Sequence, residues 1–100
     1  MQRTYCFMGH GSVGAVVGAR MRELGLQPVN YASDADVVFT YYASQGQLED
    51  AFFAETGLVQ ACAPGTLLVD LSPSTPAFAR ELNAVAVVSD LVPVEAPLVV

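Results

Sequence analysis

The 100-residue sequence contains no lysine, a single histidine and only two cysteines, and charged residues make up 14% of it. Its basic side chains are four arginines against ten acids, a net charge of −6. Nucleic-acid affinity comes mainly from Lys and Arg neutralising phosphates, so this balance excludes a nucleic-acid surface. Cys6 falls in an extended apolar stretch and Cys62 in a helical one, which reads as two buried thiols rather than a disulfide or metal pair. No His, Cys and carboxylate spacing suits a metal. No stretch approaches the roughly 18 uninterrupted apolar residues of a membrane span, and the N-terminus lacks the pattern of a signal peptide, so a cytoplasmic location is expected. Internal repeats and low-complexity tracts are absent.

What is plentiful is apolar: 53% of the residues are hydrophobic. A chain of this length buries about two-thirds of its unfolded surface, enough for one core. So high an apolar share suits a sheet buried on both faces and suggests a surface that a partner or further domain covers.

Residues 4–14, TYCFMGHGSVG, organise the rest. Thr4 to Met8 are β-branched, aromatic or apolar, the composition of an interior parallel strand. Gly9, Gly11 and Gly14 then give G-x-G-x-x-G, followed by Val16, Val17, Met21 and Leu24 at helical spacing. In a dinucleotide turn the first glycine allows the bend, the second lets the backbone approach a pyrophosphate, and the third lets helix pack on strand. The helix N-terminus offers free N–H groups and a positive dipole end, which matters in a chain with so few cations. Gly9, His10, Gly11, Ser12, Val13 and Gly14 are the candidate phosphate-binding residues.

The first helix is expected over 12–24, stopped by Gly25. Residues 27–31 read as a short second strand that lies at an edge or has Pro28 at its start. At the end of such a strand an acid meets the adenosine ribose, and Asp34, about twenty residues beyond Gly14, is the candidate, with Asp36 competing. Asp34 would repel a 2′-phosphate, so NAD is expected over NADP. Residues 37–42 form a third strand, after which Ser44 and Gln45 turn the chain beside the nicotinamide side. Tyr41 and Tyr42 are rim and packing candidates. A helix over 47–53, a strand over 66–71 and a helix opening at Pro76 continue the alternation, and Val85 to Val100 read as one or two short edge strands. The alternation argues an α/β fold, a Rossmann-like, mostly parallel sheet with flanking helices. One junction resists: parallel strands need a crossover of about a dozen residues, while five extended residues span only about 17 Å. Either a segment is missing between Tyr31 and Val37, which is the expectation, or the sheet pairs differently there.

Residues 9–14 (GHGSVG), 36–40 (DVVFT), 65–76 (GTLLVDLSPSTP) and 95–97 (EAP) resemble the N-terminal cofactor domain of the 6-phosphogluconate and β-hydroxyacid dehydrogenase family. The resemblance covers nearly the whole chain. It implies NAD or NADP as cofactor and a 3-hydroxy acid as substrate of the parent protein, with imine reductases built on a similar domain. The family's D-x-S-T segment, which borders nicotinamide and substrate, falls on Asp70, Leu71 and Ser72, with Pro73 in place of threonine. Its D-A-P-V-S-G-G substrate segment falls on Glu95, Ala96, Pro97 and Leu98, with Val99 and Val100 at the next two positions. Between Tyr31 and Val37 the family carries a second helix and a third strand that this chain lacks. The family's catalytic lysine and helical substrate domain lie beyond this chain, so the chain alone is expected to be inactive, with a following domain or a second subunit as its partner. The alternative is a non-catalytic nucleotide-binding or regulatory module, with flavin or S-adenosylmethionine binding ranked below.

Overall fold

In the computed structural model, residues 3–9, 11–73 and 75–97 are described. Five strands run parallel: β1 (Thr4–Gly9), β2 (Gln27–Pro28), β3 (Val37–Tyr41), β4 (Leu67–Asp70) and β5 (Val92–Glu95), in the order β2-β1-β3-β4-β5. The helices are α1 (Val13–Glu23), α2 (Gln45–Phe53), α3 (Leu58–Ala61) and α4 (Pro76–Val88). The expected Rossmann-like α/β sheet is present, with β1 and β3 in its interior.

Side chains alternate across each strand, and the two faces are covered unequally. Cys6, Val38 and Leu68 point to one face, where they pack with Leu48, Phe52, Leu58, Phe78, Leu82 and Ala86. The Phe52, Phe53 and Phe78 rings meet there at centroid distances of 5.6–6.4 Å. On the other face α1 lies along β1, Gly14 against the Phe7 ring and Gly18 against the Tyr5 hydroxyl. The strand register extends Tyr5 into a row with Val37, Leu67 and Val92, and Phe7 into a row with Phe39, Val69 and Val94. These rows run out from under α1, and at β5 Val92 is 50% and Val94 39% exposed.

The second strand is shorter than its sequence suggested. Only Gln27 and Pro28 pair, opposite Thr4 and Tyr5, and Pro28 does lie at the sheet edge. That brevity resolves the crossover problem. β3 begins opposite Tyr5, level with the end of β2, so the chain has no strand length to travel back along. A single 3-10 turn at Ala32–Asp34 makes the passage, burying Ala32 and Ala35 in the same core as Leu58, Val59 and Cys62. The junction closes because β2 is short, with β2 and β3 on either side of β1.

Val85 to Val88 also depart from expectation, being helical rather than extended. The Thr75 hydroxyl accepts from the Phe78 N–H at 3.1 Å and Pro76 occupies the first turn, a strong start. Phe78, Leu82 and Ala86 then recur every four residues on the buried side, so core packing overrides the β preference of the valines. The helix ends at a left-handed Asp90, φ 58°. Of the final apolar run, β5 pairs at the edge as expected, while Leu98 to Val100 lie outside the described residues.

Both cysteines are buried free thiols, as read from the sequence. Burial raises the Cys6 pKa, and burial followed by the neighbouring Cys6 pushes Cys62 up from 9.0 to about 11. Above pH 9 the unfolded chain therefore releases a proton that the folded chain still holds. Stability contributed by the neutral thiol is complete below pH 9 and drains away as pH rises towards 11. Urea titrations between pH 8 and 11 are expected to show a shallower alkaline loss in Cys62→Ala than in the wild type. Parallel slopes would contradict the assignment.

Candidate functional site

The glycine turn closes the carboxyl end of β1, and each glycine in it answers a different steric demand. Gly9 has φ +147°, and a Cβ there would press into the Tyr41 carbonyl group of the adjacent strand. Gly11 has φ +80°, and a Cβ there would meet nothing within 4 Å. At Gly14 an added Cβ would stand 2.9 Å from the Phe7 ring. The first glycine thus permits the strand pairing, the second borders open space, and the third seats α1 on β1.

Helix α1 begins without a side-chain cap, although Ser12 stands at its N-cap. The Ser12 carbonyl accepts from Ala15 and Val16, and among the described residues nothing accepts from the Val13 and Gly14 N–H groups. By contrast, Ser44 caps α2 by accepting from Gln47 at 3.2 Å, and Thr75 caps α4. Unpaired amides at the positive end of a helix, beside a glycine that leaves room for close approach, form an anion-binding arrangement. Its chemistry fits a pyrophosphate held without lysine or arginine.

A cavity of about 390 Å³ opens between the carboxyl ends of β1 and β3 and the α2–α3 segment, lined by Met8, Tyr42, Gln47, Asp50, Ala51 and Leu58 among others. That volume is in the range of small-molecule sites. Burial, then the neighbouring Cys6, raises the pKa of the Tyr42 phenol.

Several of the residues picked from sequence meet at this edge. Gly9, Gly11, Ser12, Val13 and Gly14 form the turn and helix start, Tyr41 pairs with Gly9, and Tyr42 and Ser44 follow at the carboxyl end of β3. His10 lies outside the described residues. Asp34 is not brought there. Its carbonyl accepts from the Thr4 hydroxyl at 2.9 Å and the Asp36 carboxylate accepts from the Thr4 N–H at 2.9 Å. Both acids therefore staple the amino end of β1, about 17 Å of strand from the turn at 3.3 Å per residue. The spacing rule misplaced Asp34 because it presumes a second strand running to full height. The chain instead leaves β2 at Asn30 and Tyr31, both exposed, Tyr31 by 69%.

Ser72, expected to border the cofactor, has a wholly buried side chain whose Oγ accepts from the Tyr42 N–H at 2.9 Å.

Comparison with known proteins bears on this arrangement. Residues 18–99 match the model of the NAD binding domain of 6-phosphogluconate dehydrogenase. The chain belongs to that family. A probable mitochondrial 3-hydroxyisobutyrate dehydrogenase of Dictyostelium discoideum is 35% identical over 71 residues, covering 67% of this chain and 22% of the relative. A probable 3-hydroxyisobutyrate dehydrogenase-like protein of Arabidopsis thaliana is 31% identical over 81 residues, covering 81% of this chain and 24% of the relative. Among solved structures, the 3-hydroxyisobutyrate dehydrogenase of Mycobacterium tuberculosis with L-serine superposes over the whole chain and 42% of its own, with TM-score 0.81 and 22% identity. An imine reductase of Myxococcus stipitatus with NAD+ covers 95% of this chain and 40% of its own, with TM-score 0.65 and 18% identity. The chain thus spans about a quarter of the curated relatives. The family match starts at residue 18, past Gly14, so the reading of the glycine turn rests on its own geometry.

Proposed function

We propose that this chain holds the nicotinamide dinucleotide, NAD or NADP, of an oxidoreductase whose substrate is a small hydroxy acid or related compound. The observation that carries this is the turn itself: Gly11 borders open space directly before a helix whose first amides are unpaired among the described residues. Gly11, Ser12, Val13 and Gly14 would take the pyrophosphate, Tyr41, Tyr42 and Ser44 would line the carboxyl edge, and the bound nicotinamide would supply hydride chemistry. Titration of NADH and NADPH fluorescence with the purified chain tests this. Absence of binding by both would end it.

Specificity falls to Asn30 and Tyr31 in this reading, since the chain leaves the second strand there and Asp34 lies at the far end of β1. None of the four arginines lies in residues 27–36, so nothing cationic from that stretch meets a 2′-phosphate, and NAD remains the expected preference. Tyr31→Arg supplies a guanidinium suited to paired hydrogen bonds with phosphate. The NADP/NAD affinity ratio is expected to rise by about tenfold or more, roughly 1.4 kcal/mol. A ratio unmoved in calorimetry would remove Tyr31 from the site.

The chain alone is not expected to oxidise 3-hydroxy acids. Proton transfer from the hydroxyl by a positioned group is worth about 10² to 10⁴ in rate. The sequence has no lysine, and its single histidine, His10, falls within the G-x-G-x-x-G motif. The apolar rows running out from under α1 also suit coverage by a second domain or subunit, since parallel sheets are ordinarily buried on both faces. Left uncovered, they favour self-association. Assays with NAD and NADP on a panel of 3-hydroxy acids, with sizing chromatography alongside, are expected to show no turnover and an associated species. Turnover by a monodisperse monomer would refute the proposal.

A further inference from the structure

Three polar side chains are sealed inside the carboxyl half of the sheet, and together they form one chain of hydrogen bonds. Thr40, Asp70 and Ser72 are 0%, 2% and 0% exposed. Thr40 and Asp70 are register partners on β3 and β4. The Thr40 hydroxyl donates to Asp70 Oδ1 at 2.9 Å, and the Ser72 N–H donates to the same oxygen at 3.0 Å. Ser72 Oγ then accepts from the Tyr42 N–H. The sheet ladder itself stops one step earlier, where the Leu71 N–H donates to the Thr40 carbonyl. Beyond that point a serine hydroxyl replaces the backbone in joining the two strand ends.

Burying a carboxylate carries a desolvation cost that an apolar residue would avoid. Its geometric return is specific: one oxygen ties the last residue pair of two strands to the start of the following turn. What that turn positions is Tyr42, which follows Tyr41, the register partner of Gly9, and lines the cavity with Met8. Building on the dinucleotide reading above, we infer that Asp70 and Ser72 are positioning residues that touch no ligand themselves but set the Tyr42 backbone, and so the cavity wall, for the cofactor.

The acceptor geometry makes the inference testable. Asparagine keeps an Oδ1 able to accept both bonds, alanine keeps none, and Ser72→Ala deletes only the acceptor for Tyr42. NADH and NADPH affinities, melting temperature and amide exchange at Tyr42 are measured for Asp70→Asn, Asp70→Ala, Ser72→Ala and the wild type. Val85→Ala, a half-buried core change in α4, serves as the stability control. Ser72→Ala and Asp70→Ala are expected to weaken binding by about tenfold and speed Tyr42 exchange, while Asp70→Asn stays within about threefold. Val85→Ala is expected to lower the melting temperature with affinity unchanged. Wild-type affinity in Ser72→Ala and Asp70→Ala, or equal loss in Asp70→Asn and Asp70→Ala, overturns the inference. A wild-type chain that binds neither dinucleotide instead sinks the functional reading, and Tyr42 exchange then decides by itself whether Asp70 and Ser72 hold the turn.

Discussion

Gly9→Ala is expected to cost the protein a large part of its stability. The added methyl would collide with the Tyr41 carbonyl, 2.9 Å from its carbon, and that group is backbone in the middle of the sheet. No rotamer change can relieve the clash, so either β1 or β3 must move. Forcing a non-glycine residue to φ +147° adds strain of about 1–3 kcal/mol, and overpacking adds a similar amount. A loss of about 4 kcal/mol compares with the roughly 5–15 kcal/mol that holds a domain of this size together. It would lower the melting point by about 20 °C. Thermal denaturation followed by circular dichroism measures this directly. A drop of only a few degrees would mean that the two strand ends are not packed as described.

Gly11→Val acts on the ligand side of the same turn. Among the described residues, its chain neighbours apart, nothing lies within 4 Å of the position an added Cβ would take, so the side chain enters open space there. In the proposed function that open space is the room a pyrophosphate takes to reach the Val13 and Gly14 amides. Affinity for NADH and NADPH is expected to fall by at least about a hundredfold, roughly 2.7 kcal/mol. A left-handed glycine at φ +80° resists a branched residue, so about 1–3 kcal/mol of stability goes as well. Binding is therefore compared at a temperature where both proteins are shown to be folded. Equal affinity in the two folded proteins would remove the turn from the binding site.

The two glycines separate effects that a motif match merges. G-x-G-x-x-G states that three positions lack side chains, and it says nothing of what each side chain would have struck. One absence is required by the adjacent strand, one by space kept open, and one by the Phe7 ring.

The linear pattern by itself determined the α/β class, the glycine turn and the order of strands and helices, because these follow from local chemistry. Apolar runs bounded by glycine and proline make buried parallel strands, and a 3.6-residue period makes helices wherever they pack. Tertiary structure alone decided that β2 would stop after two residues, that Asp34 would staple the amino end of β1, and that Val85 to Val88 would be helical. It alone also made Ser72 a buried brace between two strand ends. Each of these outcomes depends on which distant residue lies opposite: Thr4 for Asp34, the Phe78 and Leu82 core for the valines, and Tyr42 for Ser72. Pairing between strands thirty residues apart is set by the whole sheet, and no window along the chain contains it.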